Sequence, residues 1–159
     1  VILSFFVNLK LILFFLFAIG FSILLAITLM KISIPCDFEL CTFSSVLGMI
    51  VFGMGFGILI SILSKIIPCV VRGKIIIDNF FQIASYVIAG VIGLWLVSFW
   101  NITTAGIIAS LCANFLMYAL SHYVLGVSPI DNLIYTGTNL LGNFLFFSIF
   151  AMPIYMIIK

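Results

Sequence analysis

The sequence predicts an all-α membrane protein, a polytopic bundle of about five transmembrane helices, with four as the alternative count. Three observations predict it. The 159 residues carry only six Lys or Arg and four Asp or Glu, where a soluble domain of this length carries roughly 40 charges. Hydrophobic residues make up 66% of the chain, and the mean hydropathy is +1.51. The apolar residues fall in runs of about 20, the length that crosses a bilayer core about 30 Å thick. This composition excludes a soluble globular domain and a disordered tail. It also excludes a nucleic-acid binder, because no basic patch is present to neutralise phosphates. Barrel strands alternate apolar and polar residues over about ten positions; these runs are apolar on every side. A helix satisfies its backbone within one segment, as lipid demands.

The elements follow from the charges and breakers, and together form one transmembrane domain over residues 1–159. Lys10 and Lys31 bracket the first span, residues 11–30. Its apolar run exceeds the core of a signal peptide and no small-residue cleavage pattern follows, so it reads as retained. A polar stretch with Pro35, Cys36, Asp37, Glu39 and Cys41 leads to a glycine-rich second span, residues 43–63. Lys65, Pro68, Arg72, Lys74 and Asp78 mark the next connection, before a third span at 80–100. Asn101, Thr103 and Thr104 make a tight turn into the fourth span, residues 102–120. Ser110, Cys112, Asn114 and Ser121 give that span the most polar content, which predicts a place inside the bundle. His122, Gly126, Pro129 and Asp131 connect to the fifth span, residues 133–158.

The excess of Lys and Arg marks the cytoplasmic side. With five spans and the N-terminus inside, Lys10, Lys65, Arg72 and Lys74 face the cytoplasm, against Lys31 and Lys159 outside. The expected orientation is therefore N-terminus cytoplasmic and C-terminus outside, with Asp37 and Glu39 in an outer loop.

Few residues carry chemistry. Cys36 and Cys41 share one polar loop, which suits either a disulfide in an oxidising compartment or two separate thiols. Gly53 and Gly57 form a small-xxx-small step, and Ala89 and Gly93 form a second. Such steps let helices approach closely and serve either packing within the bundle or a partner interface. Asp78 opens the third span. Either it rests there on the helix dipole, or it is buried at the membrane boundary and paired with Lys65 or Arg72. Ionisable groups inside a membrane are functional candidates, so Lys65 and Asp78 are the candidate functional charges. His122, with Tyr118 and Tyr123, marks an interface. Asn114, Asn139 and Asn143 suit hydrogen bonds between helices or, alternatively, a polar substrate path. No catalytic set, metal-ligand cluster, nucleotide loop or cofactor motif is apparent, and the chain reads as no enzyme.

One stretch carries a resemblance. After Glu39 come Ser44-Ser45-x-Leu47-Gly48, a helix rich in glycine and phenylalanine that Ser64-Lys65 closes, then Ile77-Asp78-x-x-Phe81. Thr103-Thr104-Ala105-Gly106-Ile107-Ile108 opens a further helix. Over roughly residues 39–125 the chain resembles the YrvL family, small integral membrane regulators of Gram-positive bacteria. The resemblance implies a multi-pass protein of the cell membrane that negatively regulates an extracytoplasmic-type sigma factor system. It makes Lys65 and Asp78 family-like positions without a catalytic role. The expected function is thus protein–protein interaction within the bilayer, with another protein or with a second copy; the alternative is a small transporter or permease subunit.

Overall fold

A computed structural model describes residues 2–32, 39–73 and 75–158. Among these residues the chain forms six helices and no strand: α1 (Ile2–Ile32), α2 (Cys41–Phe52), α3 (Met54–Val71), α4 (Asp78–Leu96), α5 (Ile102–Tyr123) and α6 (Pro129–Ile158). All but α2 are long and apolar enough to cross a membrane. The protein has the architecture of a multi-pass helical membrane protein.

The second predicted span is corrected. Residues 43–63 are not one helix, because the chain reverses at Gly53, whose φ of 92° and ψ of 167° suit a residue without a β-carbon. α2 and α3 then run antiparallel. Glu39 meets Lys65, the Cys41 thiol reaches the Ser64 carbonyl at 3.4 Å, and the Ser45 and Ser61 hydroxyls stand 2.5 Å apart. A β-carbon at Gly57 would lie 1.9 Å from Met49 Cγ and 2.8 Å from Met49 N. All these pairs centre on Gly53.

At 12 residues, α2 covers about 18 Å, less than the bilayer core. It is nonetheless the axis of the bundle: Leu40–Met49 are all buried, and α2 packs against each of the other five helices. Small residues make this possible. Gly90 and Gly93 of α4 leave room for Met49 and Val46, where a β-carbon would stand 2.6 Å and 2.7 Å from the nearest side-chain atom. Ala89 is buried on the same helix. Phe43 closes the opposite side, with ring centroids 5.0 Å from Phe147 and 6.0 Å from Phe146 of α6. Gly106 of α5 makes space for the Phe147 ring, 2.1 Å from a β-carbon there.

The remaining helices alternate in direction. α4 runs parallel to α2 and turns into α5 through residues 97–101. Asn101 caps α5 by accepting a hydrogen bond from Thr104 N at 2.9 Å. The buried positions of α5 form one stripe: Ile102, Ala105, Gly106, Ala109, Ser110, Ala113, Asn114, Met117 and Ser121. Leu111, Cys112 and Phe115 are exposed, so this helix is half in the core rather than enclosed. His122 closes the next turn, its Nδ1–H donating to the Val127 carbonyl at 3.1 Å, and Asn132 Nδ2 donates to the Tyr118 carbonyl at 2.8 Å.

The extra leg at Gly53 changes the parity of the chain. Lys10 near the start of α1 and Ile158 at the end of α6 line the same groove. The first and last helices therefore begin and end at one end of the bundle, where five spans put them at opposite ends.

Candidate functional site

The polar centre of the molecule is built where α2, α3 and α4 meet. Glu39 precedes α2, and its two carboxylate oxygens are divided between two helices. Oε1 takes the Lys65 ammonium of α3, and Oε2 accepts the Tyr86 hydroxyl of α4. The side chains of Lys65 and Glu39 are 7% and 11% exposed, and Tyr86 is fully buried. Lys65 lies six residues before the end of α3, about 9 Å inside the helix end. Below the ion pair a serine ladder continues along α2. Ser45 Oγ donates to the Tyr86 carbonyl at 2.8 Å, and Ser61 Oγ donates to the Gly57 carbonyl at 2.6 Å. One charged pair and two hydroxyls thus fasten α2 to the helices on either side of it.

This arrangement corrects one expectation and separates the two readings of Asp78. Glu39 and Lys65 do not lie on opposite membrane faces; the reversal at Gly53 brings them together. Asp78 is paired with neither Lys65 nor Arg72. It is the first residue of α4, half-buried, and accepts from Gln82 Nε2 at 2.5 Å and from Ser121 Oγ at 3.1 Å. It thereby ties the start of α4 to the end of α5, at the helix N-terminus that favours a carboxylate.

A pocket of about 20 Å³ opens beside the ion pair, lined by Ser22, Glu39, Ser64, Lys65 and Arg72 among others. That is room for one water molecule. Arg72 Nε is buried there without a hydrogen-bond partner among the described residues.

Of the other sequence candidates, Gly57, Ala89 and Gly93 are spent on packing inside the bundle, while Gly53 forms the exposed turn. Cys36 lies outside the described residues, and with it the proposed Cys36–Cys41 pairing. The asparagines are buried, and the amides of Asn114 and Asn143 donate along their own helices. Asn114 Nδ2 donates to the Ser110 carbonyl at 2.8 Å, and Asn143 Nδ2 donates to the Asn139 carbonyl at 3.0 Å and to its Oδ1 at 2.5 Å. The two larger grooves, between α1 and α6 and between α5 and α6, are apolar and are not lined by Asn114, Asn139 or Asn143. Among the described residues, no group of three or more His, Cys, Asp or Glu could hold a metal.

Sequence reasoning placed Lys65 among the candidates but missed Glu39 and Tyr86. The signal was there in part: Glu39 and Lys65 stand nearly the same number of residues before and after Gly53. Comparison with family models, with curated proteins and with solved structures yields no match.

Proposed function

We propose that this chain acts by binding another membrane protein, as a small regulator of the kind its resemblance to YrvL-type proteins suggests. The observation that carries this reading is the filled axis. A helix buried on all sides occupies the centre, and Glu39, Lys65 and Tyr86 lock it to its neighbours. A rigid interior of this kind supports action through the outer faces of α1, α4, α5 and α6, which present Leu16, Trp95, Phe115 and Phe144. Photo-crosslinking from these four positions in native membranes tests the proposal. A discrete adduct with one membrane protein is expected; adducts with lipid alone would overturn it.

The orientation belongs to the same proposal. Lys65 and Arg72 lie at the end of the bundle opposite Lys10, and the positive-inside rule makes that end cytoplasmic. The start of α1 then faces away from the cytoplasm, the reverse of the assignment drawn from five spans.

A second reading, a small transporter or permease subunit, draws on the buried oxygens without hydrogen-bond partners among the described residues: Thr42 Oγ1, Gln82 Oε1, Ser110 Oγ, Asn114 Oδ1 and Asn143 Oδ1. Buried polar atoms inside a membrane bundle are characteristic of substrate paths. Solute flux into proteoliposomes that is lost in Asn114→Leu would favour this reading over the first.

A further inference from the structure

At the end of the bundle away from the ion pair, α1 and α6 enclose an apolar groove of about 220 Å³, walled by Leu13 and Phe17 on one side and Ile154 and Ile157 on the other. Lys10 is the one charged residue among those that line it. It sits one helical turn before Phe14, whose ring packs at 5.6 Å from Phe52 beside the Gly53 turn. The end of α4 and the turn into α5 lie at the same end and expose Trp95, Phe99 and Trp100. Aromatic side chains collect at the membrane–water boundary, so Lys10 stands at headgroup depth while the groove runs on into the hydrocarbon.

The charge here is one-sided. The described carboxylates, Glu39, Asp78 and Asp131, precede α2, open α4 and lie in the first turn of α6. All three are at the opposite end. Among the described residues no ion pair involves Lys10.

The geometry points to a binding site for one anionic phospholipid, its acyl chain in the groove between α1 and α6 and its phosphate against the Lys10 ammonium. The bilayer supplies a ligand that matches both halves of the site: an apolar chain for a groove that faces lipid, and a negative headgroup for a half-buried cation with no acid nearby among the described residues. A single Lys near the membrane surface favours an anionic lipid about five-fold.

The test uses the purified full chain in detergent with equimolar phosphatidylglycerol and phosphatidylcholine of the same acyl composition, read by native mass spectrometry. One retained phosphatidylglycerol, about five-fold over phosphatidylcholine, is expected. Lys10→Gln should abolish the preference and Lys10→Arg should keep it. Leu13→Trp, which fills the groove, should lower retention of both lipids. Equal retention by the parent protein, or an unchanged preference in Lys10→Gln, would overturn the proposal. So would a dimer that Leu13→Trp dissociates, which would assign the groove to a second copy. Gel filtration of each variant separates loss of the site from loss of the fold.

Discussion

Replacing Lys65 by Met removes the ammonium from Glu39 and leaves a carboxylate, 11% exposed, inside the bundle. Breaking a buried ion pair by removing one partner costs about 3–5 kcal/mol, whereas replacing both members at similar volume is often neutral. The Tyr86 hydroxyl still donates to Glu39 in the variant. A hydrogen bond to a charged group contributes about 1.5–3 kcal/mol, which holds the loss near the lower end of that range. A chain of this size loses about 2–4 °C of Tm per kcal/mol, so Lys65→Met should unfold about 10 °C lower. Glu39→Gln should cost a similar amount, because it strands the ammonium instead. The double variant keeps an amide to accept the tyrosine and buries no charge, so most of the loss should return. Thermal unfolding of the four proteins in one detergent, followed by the fraction that survives gel filtration after heating, measures all of this. Additive losses in the double variant, or single variants within about 2 °C of the parent, would refute an energetic role for the pair. Where a single variant fails to accumulate, recovery of membrane-inserted protein in the double variant is the equivalent readout.

Gly57→Ala should destabilise by about 1–3 kcal/mol through overpacking against the Met49 backbone, while Gly55→Ala, which meets nothing within 4 Å, should stabilise by up to about 1 kcal/mol; Tm of the pair decides. Asp78→Asn should cost about 1–2 kcal/mol, since one of the two accepting oxygens becomes an NH2 that cannot accept and the charge at the helix start is lost; an effect as large as that of Lys65→Met would contradict its role as a tie between α4 and α5. Cys112, exposed midway along α5, faces hydrocarbon, so water-borne maleimide should label it, like the buried Cys69, only after denaturation; labelling of Cys112 in native membranes, read by peptide mass spectrometry, would contradict a spanning α5. Reporters fused before α1 and after α6 should respond from the same side of the membrane; opposite sides would contradict the turn at Gly53.

The helical membrane class was legible from charge scarcity alone, and several boundaries followed from local chemistry. Asn101 is a strong cap and α5 starts directly after it; Asp78 opens α4, where the helix dipole favours a carboxylate. The break in the second span was not legible. Gly53 and Gly57 read as one packing step, yet the first makes a turn and the second a close contact, and glycine serves both uses equally well. Length does not separate the cases either. Residues 41–71 would make a helix of about 46 Å, but α1 and α6, at 31 and 30 residues, carry the same surplus without folding back. Because the turn was missed, Glu39 and Lys65 were assigned to opposite faces. The most informative contact in the molecule was therefore out of reach of reasoning that treated each loop by itself.

The buried position of α2 also bears on how the protein is made. Helices insert and then associate, and α2 covers too little of the bilayer core to be a stable span by itself. It must enter with α3 as a hairpin, carrying Glu39 and Lys65 inward as a neutral pair. Its enclosure is completed by Phe146 and Phe147 of α6, which leaves the ribosome after the five other described helices. Until then Phe43 has no cover on that side, and the growing chain holds an unfinished core within the membrane. The docking of α6 covers a centre laid down much earlier in synthesis, and a chain arrested before Pro129 would present that open centre to whatever quality control surveys the bilayer.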